Sequence, residues 1–243
     1  MPVPPTFDAR IVRAGPLSPS VRGIVLERVD GAPFVFEAGQ WVNLVLPLPS
    51  GEVRRAYSIA SPPDGSPRFE IAVTRVQSGP GSTYLHALEP GVVLPTVGPQ
   101  GFFTRPLENA PPALFVGTGT GVAPLRSMLR TAIARGHTAP VCILFGVRSQ
   151  EDILYRDELD RIAPEHSGVA IEVTLSRPDD SWKGRRGYVQ LHVRELYERL
   201  ASGSSVPPHV FVCGLERMVG AVREILRKEM GLPRTSVHSE RYD

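Results

Sequence analysis

The sequence predicts a two-domain protein: an antiparallel β-barrel followed by an α/β domain built on a doubly wound parallel sheet. Three observations predict this architecture. Residues 8–105 contain closely spaced β-like runs separated by Pro, Gly and Asp turns. Residues 105–112, which read Arg-Pro-Leu-Glu-Asn-Ala-Pro-Pro, break that pattern. After the break, short apolar strands alternate with helical patterns. We therefore predict domains at residues 1–108 and 109–243.

The individual elements follow from local periodicity. The predicted strands of the first domain are Ile11–Ala14, Val21–Val29, Trp41–Leu46, Ala56–Ile59, Phe69–Arg75 and Val92–Val97. Strands this close together, joined by proline-rich turns, are typical of a barrel or a sandwich. The predicted strands of the second domain are Ala113–Val116, Val141–Phe145, Val169–Leu175 and His209–Cys213. An apolar stripe at helical spacing predicts a helix after the first of these strands, at Val122, Leu125, Met128, Leu129, Ala132 and Ile133.

Composition excludes several classes of protein. The 243 residues are 42% hydrophobic, enough for ordinary cores, and the net charge of +2 gives no basis for nucleic-acid binding. The apolar runs are far shorter than a membrane span, so we expect no membrane association. The N-terminus, Met1-Pro2-Val3-Pro4-Pro5, lacks the basic and apolar regions of a signal peptide. These features predict a cytoplasmic protein.

The cysteines argue against a metal centre. Cys142 and Cys213 each lie in an apolar, strand-like run, and no Cys-x-x-Cys spacing occurs. Two thiolates cannot hold an iron–sulfur cluster by the usual four ligands. No His, Cys and carboxylate cluster suggests another metal, so we predict no metal site. Any one-electron metal centre then belongs to another protein.

A glycine-rich turn provides the strongest functional signal. Residues Val116–Pro124 read Val-Gly-Thr-Gly-Thr-Gly-Val-Ala-Pro and follow an apolar strand. Gly117, Gly119 and Gly121 let the backbone approach a ligand closely, and the helix that follows offers free N–H groups to a pyrophosphate. The spacing differs from the Gly-x-Gly-x-x-Gly fingerprint, and no Gly-Lys-Ser/Thr follows. The turn therefore predicts a dinucleotide site, with a simple tight turn as the alternative.

A second signal lies upstream, at Arg54-Arg55-Ala56-Tyr57-Ser58-Ile59-Ala60-Ser61. Strand alternation places Arg55 and Tyr57 on one face, where a guanidinium fork and a flat ring could hold a phosphate and a stacked ring. Ser58 points to the other face unless the chain bends. The alternative is an ordinary exposed strand with a surface Arg and Tyr.

These sites resemble one known family when they are considered together. Arg-x-Tyr-Ser is followed in order by Gly-Pro-Gly-Ser-Thr-Tyr-Leu (79–85), Gly-Pro-Gln-Gly-Phe-Phe (98–103), Gly-Thr-Gly-Thr-Gly-Val-Ala-Pro (117–124) and Val-Cys-Gly (212–214). This order resembles the ferredoxin–NADP reductase family of flavoproteins, from about residue 8 to Asp243. The resemblance implies that Tyr57 stacks on the isoalloxazine, that Ser58 hydrogen-bonds the reactive nitrogen of that ring and that Arg55 binds the flavin phosphate.

A second flavin segment begins at Gly79. Gly81, Ser82 and Thr83 open a short helical stretch, whose N–H groups and hydroxyls could hold a pyrophosphate. The alternative is a helix N-cap formed by Ser82 or Thr83. We assign Val73 and Arg75 to the same flavin site. A pyrophosphate site separate from the arginine favours FAD over FMN.

The nicotinamide nucleotide has two predicted contact regions. Thr118 and Thr120 add hydroxyl donors beside the glycine turn, and Pro124 belongs to the same segment. A second region follows the strand that ends at Leu175, and its candidate residues are Ser176, Arg177, Lys183, Arg185 and Arg186. Basic residues at this strand end favour the 2′-phosphate of NADP(H). Asp179 and Asp180 oppose that charge, and solvated loop charges are the alternative.

The end of the chain carries the remaining candidates. By resemblance, Cys213, Gly214 and Met218 lie beside the nicotinamide, and Ser58, Cys213 and Glu240 are the catalytic residues. Tyr242 supplies the aromatic that a related subgroup carries here. The alternative for Cys213 is a buried strand thiol without chemistry, and for Glu240 a surface charge at a frayed end.

The resemblance implies an FAD enzyme that accepts a hydride from NADPH and passes single electrons to a separate ferredoxin or flavodoxin. The nicotinamide and isoalloxazine rings would then lie face to face, about 3–3.5 Å apart. Three rivals stay open: an NADH-preferring reductase component of an oxygenase, a non-catalytic electron-transfer subunit, and a nucleotide-binding regulatory module.

Overall fold

The computed structural model describes residues 4–108 and 110–242, which form two compact units. The first unit comprises the described residues up to Thr104, together with Arg126–Thr131. The second comprises Arg105–Leu125 and the described residues from Ala132 onward. The predicted domain boundary stays a prediction, since Asn109 lies outside the described residues. In the described part, no helix is long and apolar enough to cross a membrane.

Six antiparallel strands and one helix build the first unit. They are β1 (Thr6–Ser18), β2 (Val21–Arg28), β3 (Trp41–Leu48), β4 (Gly51–Ser58), β5 (Arg68–Thr74), α1 (Pro80–Ala87) and β6 (Val93–Gln100). The strand order is β4-β3-β6-β1-β2-β5. All six predicted strands are present, and each overlaps its predicted range.

The first sheet closes on itself. Ile59, immediately after β4, forms an antiparallel bridge to Ile71 in β5, at the opposite edge of the sheet. The N–H of Ala60 donates to the carbonyl of Glu70 at 2.7 Å. Closure removes the open edges that would otherwise expose unpaired backbone groups. The antiparallel barrel predicted from the sequence is confirmed.

The barrel interior follows the alternation of each strand. The first residues of β1 alternate exposed and buried, with Phe7, Ala9 and Ile11 inside. Phe34 and Phe69, with ring centres 4.6 Å apart, lie in the same core. Burial of these apolar side chains stabilises the barrel and fixes the register of its strands.

Six parallel strands and four helices build the second unit. They are β7 (Ala113–Thr118), α2 (Val122–Ala134), β8 (Val141–Val147), α3 (Arg156–Glu165), β9 (Val169–Leu175), β10 (Arg185–Arg186), α4 (Val193–Ser202), β11 (His209–Leu215), α5 (Glu216–Glu224) and β12 (Val237–Tyr242). Residues Arg126–Thr131 of α2 group with the first unit. A π-helical turn, Ile225–Glu229, continues α5. The sequence prediction omitted β10 and β12, because β10 has two residues and β12 is mostly polar.

The order of the second sheet is β10-β9-β8-β7-β11-β12. The chain moves outward from β7 to β10 and then returns to the other side of β7 at β11. This reversal is the winding of a doubly wound sheet, and it makes the carboxyl ends of β7 and β11 a topological switch point. The predicted parallel sheet is confirmed, and its switch point lies at the glycine-rich turn.

Arg105 is a buried cation at the start of the second unit, with 8% of its surface exposed. Its Nη2 donates to the carbonyl of Pro111 at 2.8 Å and to His137 Nε2 at 3.2 Å. In the described part of the chain, its Nε and Nη1 have no hydrogen-bond partner. Burial lowers the pKa of Arg105 to about 10.

Three histidines of the second unit, His137, His209 and His238, favour the neutral form. Burial and the nearby Arg105 charge lower the pKa of His137 and of His209. Burial and His209 lower the pKa of His238, whose Nε2 lies 3.3 Å from His209 Nδ1. Each imidazole therefore binds a proton more readily in the unfolded chain than in the folded one.

This difference predicts acid sensitivity. Stability that is present above about pH 6.5, the ordinary imidazole pKa, should be lost as the pH falls through the lowered folded-state values. His137→Gln keeps an acceptor for Arg105 but takes up no proton, so its free energy of unfolding should fall less than that of the wild type. Urea unfolding at a series of pH values measures this difference.

His166→Gln is the control, because in residues 4–108 and 110–242 the His166 side chain has no hydrogen-bond partner. It should follow the wild type. A His137→Gln variant that loses as much stability as the wild type on acidification would contradict the prediction.

Candidate functional site

In the first unit, Arg55 lies over the N-terminal turn of α1. A Cβ added at Gly81 would lie 3.4 Å from Arg55 Cγ and 3.5 Å from Arg55 Nε. The first N–H groups of a helix have no partner within the helix and favour an anion. A guanidinium beside them makes a cradle suited to a phosphate. One of its nitrogens, Nη1, also donates to the Arg54 carbonyl at 2.9 Å.

The pleat of β4 places Val53, Arg55 and Tyr57 on one face. Val53 and Tyr57 pack against the barrel core, while Arg55 is exposed. Burial raises the pKa of Tyr57 to about 12, so its phenol stays neutral at physiological pH. Ser58, on the other face, is 8% exposed. Arg55 and Tyr57 therefore share a face, as the alternation predicts.

Ser82 has a structural contact of its own. Its hydroxyl accepts from the Val76 N–H at 3.1 Å and donates to the Gly79 carbonyl at 3.1 Å. The single hydroxyl proton is therefore used within the turn, and only the backbone N–H of Ser82 can face a phosphate. The N-cap residue is Gly79, with no side-chain capping bond. The alternative that Ser82 or Thr83 caps the helix is wrong.

Val73 and Arg75 occupy different environments. Val73 is fully buried in the barrel core, and its carbonyl is 2.8 Å from His86 Nε2, which ties α1 to β5. The Val73 side chain therefore supports the core. Arg75 is exposed and, with Thr83, lines a surface pocket of about 360 Å³. The flavin roles of both residues stay predictions.

In the second unit, the glycine turn follows β7. A Cβ at Gly121 would lie 2.2 Å from the carbonyl oxygen of Cys213, so no larger residue fits there. A Cβ at Gly117 would lie 2.9 Å from Leu125. Gly119 differs, because its φ is +53° and a Cβ there would meet open space. Gly119 therefore presents its backbone outward, whereas Gly117 and Gly121 serve internal packing.

The ends of β7 and β11 meet beside this turn. A Cβ at Gly214 would lie 2.5 Å from Thr118 Oγ1 and 2.7 Å from Met218 Cε. Pro124 is buried in the first turn of α2, where its missing N–H costs no hydrogen bond. The structure thus brings together Thr118, Gly214 and Met218 at the switch point.

Cys213, Glu240 and Tyr242 lie at the same edge. Cys213 pairs with Glu240 in the register of β11 and β12, and Leu215 pairs with Tyr242. Burial raises the pKa of the Cys213 thiol, although a hydrogen bond from Tyr242 opposes this. Cys213 is therefore a neutral buried thiol. Glu240 lies inside a paired strand, not at a frayed end.

The segment after β9 is held to the end of β8. The Ser176 N–H donates to the Val147 carbonyl at 3.0 Å, and the Arg177 N–H donates to the Arg148 carbonyl at 2.8 Å. In the described part of the chain, the exposed side chains of Arg177 and Lys183 have no partner. Both are therefore available to a phosphate.

Asp179 keeps its negative charge, because the hydrogen-bond partners of its carboxylate are neutral groups. Its carboxylate accepts from the Ser181 hydroxyl at 2.6 Å and from Gln150 Nε2 at 3.1 Å. These bonds, the one from Ser181 first, lower the pKa of Asp179. The carboxylate thus closes a turn within the loop.

Arg185 is an exception to the predicted basic cluster. Its guanidinium binds Glu172 at 2.9 Å and Glu195 through two bonds of 2.6 and 2.7 Å. These partners, Glu195 first, raise the pKa of Arg185. Its charge is therefore already compensated by two carboxylates, which disfavours a direct contact with a nucleotide phosphate.

The sequence reasoning missed Arg148. It is exposed at the end of β8, beside Arg177 at the end of β9. Its position directly after a parallel strand was the signal that could have found it, since ligands bind at the carboxyl ends of such strands. Arg186 donates to the carbonyls of Asp179 and Trp182, at 3.0 Å each.

Comparison with known proteins assigns a domain class to each unit. A family model described as an oxidoreductase FAD-binding domain matches residues 9–104. A second, described as an oxidoreductase NAD-binding domain, matches residues 115–224. The Arg55 cradle lies within the first match and the glycine turn within the second.

Individual relatives carry reductase names. The chain is 62% identical over 238 residues to ferredoxin–NADP reductase B of Sorangium cellulosum, covering 98% of each chain. It is 30% identical over 212 residues to a glycine betaine monooxygenase reductase subunit of Pseudomonas aeruginosa, covering 86% of this chain and 57% of that protein. A solved Amycolatopsis cytochrome P450 reductase matches with a TM-score of 0.82 at 30% identity, covering 98% of this chain and 70% of that one.

The cradle beside α1 makes a prediction about FAD. Arg55→Ala removes a charge-assisted phosphate contact, so it should weaken FAD binding by roughly 1.5–3 kcal/mol, about ten- to a hundredfold. Titration of the apoprotein with FAD, followed by flavin fluorescence, measures the dissociation constant.

Arg54→Ala is the matched control. Arg54 is exposed next to Arg55 on the opposite face of β4, so its loss should leave FAD binding nearly unchanged. Equal dissociation constants for Arg55→Ala and the wild type would refute the assignment.

Proposed function

Since the chain belongs to the ferredoxin–NADP reductase family, we propose that it is an FAD-dependent oxidoreductase that passes electrons from NADPH to a separate ferredoxin or flavodoxin. One observation carries the proposal: a single chain holds a phosphate cradle in its FAD-binding match and a glycine turn at the switch point of its NAD-binding match. The name of the Sorangium relative supports ferredoxin as the acceptor.

The first unit's residues hold the flavin in this proposal. Arg55 and the N–H groups at the start of α1 bind its phosphates. Tyr57, neutral and fixed against the core, supplies a flat surface for the ring. Ser58 donates a hydrogen bond to a ring nitrogen. When bound, FAD supplies the exchange between a two-electron donor and one-electron acceptors.

The second unit's residues position the nicotinamide. Thr118, Gly214 and Met218 converge at the switch point, and the raised pKa of Cys213 keeps its thiol protonated. In this proposal Cys213 lies beside the nicotinamide as a neutral, buried thiol and does not act as a nucleophile. Glu240, paired with Cys213 across the strands, is the proton or orientation partner.

NADPH rather than NADH is the proposed donor. Arg148, Arg177 and Lys183 are exposed cations around the strand ends where the adenosine half of the nucleotide would lie. A guanidinium fork binds a phosphate through two hydrogen bonds, and NADH lacks the 2′-phosphate.

The proposal also includes a domain boundary and a cellular location. The domains are taken to meet between residues 108 and 109. The protein is taken to act in the cytoplasm, which fractionation of the native host would test.

An NADH-preferring reductase component of an oxygenase is the second candidate. Two comparisons favour it: the Pseudomonas relative is a monooxygenase reductase subunit, and the Amycolatopsis structure is a cytochrome P450 reductase. The chain spans 57% of the Pseudomonas protein. The two candidates differ in nucleotide preference and in electron acceptor, so kinetics separate them.

The acceptor assay tests the proposal directly. The purified protein should be yellow, and NADPH should bleach its flavin absorbance. Ferricyanide should be reduced quickly, whereas cytochrome c should be reduced only when a ferredoxin or flavodoxin is added. Rapid cytochrome c reduction by the protein alone would count against a separate one-electron carrier.

Arg177→Ala tests the nucleotide preference. Loss of the contact to the 2′-phosphate should lower kcat/KM for NADPH about thirtyfold, roughly 2 kcal/mol, and leave NADH nearly untouched. Because Arg177 is exposed, added salt should shrink the difference. Steady-state kinetics with both nucleotides measure it.

Arg161→Ala, an exposed arginine on α3, is the control and should change neither nucleotide. A wild type that already prefers NADH, or an Arg177→Ala variant that slows both nucleotides equally, would transfer support to the oxygenase-reductase candidate.

A further inference from the structure

We propose that Arg185 is a positioning residue: paired with Glu172 and Glu195, it holds the loop of residues 176–184 so that Arg177 and Lys183 can meet the 2′-phosphate of NADPH. The inference rests on the proposed function. It separates the basic residues after β9 into those that bind the nucleotide and one that fixes the loop.

The loop has two anchors in the sheet. It leaves β9 at Leu175 and returns at β10, whose two residues pair only with Thr174 and Leu175. Around this short strand, Trp182 Nε1 donates to the Arg185 carbonyl at 2.8 Å. A two-residue ladder contributes few backbone hydrogen bonds, so side-chain contacts must stabilise the return.

Arg185 supplies those contacts through three hydrogen bonds to two carboxylates. Its Nε binds Glu172, which is on β9, and its Nη1 and Nη2 bind both oxygens of Glu195, which is on α4. The Arg185 side chain is 21% exposed and that of Glu172 is 24% exposed. Because Arg185 and Glu172 are largely removed from water, their pairing is screened less than that of surface charges, whereas Glu195 is 57% exposed. We call the ion pairs of Arg185 with Glu172 and Glu195 the clamp; it joins β10 to β9 and to α4.

The same contacts exclude Arg185 as a phosphate ligand. Both the Nε side and the terminal fork of its guanidinium already bind carboxylates. Glu172 also pairs with Arg199 at 2.7 Å. Two cations and two carboxylates form a neutral cluster, which offers an incoming phosphate no net attraction.

The cations proposed to bind the nucleotide have the opposite environment. In the described part of the chain, Arg148, Arg177 and Lys183 have no carboxylate partner. Arg186 donates only to backbone carbonyls, which leave its charge uncompensated. The loop that the clamp positions therefore carries Arg177 and Lys183 without a carboxylate partner in the described residues, and it also carries the carboxylates of Asp179 and Asp180.

Two variants distinguish a positioning role of Arg185 from a role as a direct phosphate ligand. Glu195→Gln removes a carboxylate but keeps the Arg185 guanidinium, whereas Arg185→Met removes the guanidinium. If Arg185 positions the loop, both variants should weaken binding of adenosine 2′,5′-bisphosphate about fivefold or more, by calorimetry. Both should raise KM for NADPH by a similar factor and leave kcat and binding of NAD⁺ unchanged.

A direct ligand role predicts a different pattern. Glu195→Gln would then free the guanidinium and tighten or preserve binding of the bisphosphate, while Arg185→Met weakened it. That result overturns the inference. The double variant should bind no more weakly than the weaker single variant, because either change already breaks the clamp.

Arg194→Met is the matched control. Arg194 lies on α4 and pairs with Glu229 at 2.9 Å, with both side chains about half exposed. Its loss should change neither binding nor KM. If Arg185→Met does not fold, Glu195→Gln decides, since Glu195 is 57% exposed and its amide has nearly the same shape.

Binding to the wild-type protein distinguishes a failure of the proposed NADPH preference from a failure of the positioning role of Arg185. A wild-type protein with no affinity for adenosine 2′,5′-bisphosphate refutes the proposed NADPH preference. A wild type that binds the bisphosphate, with Glu195→Gln and Arg194→Met both unchanged, refutes only the positioning role of Arg185.

Discussion

Close packing at Gly121 is the constraint on which the second unit's site depends. The turn presses so closely against the end of β11 that a Cβ would lie 2.2 Å from the Cys213 carbonyl oxygen. This contact brings Thr118 and Met218 to the edge of Gly214 at the switch point. A larger residue at position 121 would push the two strand ends apart. The site would then be distorted even though no ligand-contacting residue had been replaced.

In the first unit, barrel closure and not close packing at a glycine positions the candidate site. Closure of the barrel through Ile59 and Ile71 fixes the end of β4. Arg55 then lies over Gly81 at the start of α1, and a charge is added to the helix N-terminus. In the described part of the second unit, the glycine turn itself, residues 117–121, contains no arginine, and exposed cations lie at the ends of β8 and β9.

Periodicity in the sequence predicted most of the fold because burial imposes it. Strands with apolar alternation or apolar runs, such as β1 and β7, could be predicted. The strands β10 and β12 could not, since a two-residue strand has no period and Val237–Tyr242 is mostly polar. Both are held by the neighbours they pair with, which a local window does not contain.

The site was predictable as a set of residues but not as a set of contacts. Ser82 was assigned to a phosphate by its position, yet its hydroxyl proton is used by the Gly79 carbonyl. Arg185 was assigned by its charge, yet its partners Glu172 and Glu195 lie thirteen and ten residues away in the sequence. A phosphate is attracted more weakly to a cation that is already paired with a carboxylate than to an unpaired one. Counting basic residues in a loop therefore does not distinguish paired cations from unpaired ones, and the ion pairs of the structure are the basis on which we propose that distinction here.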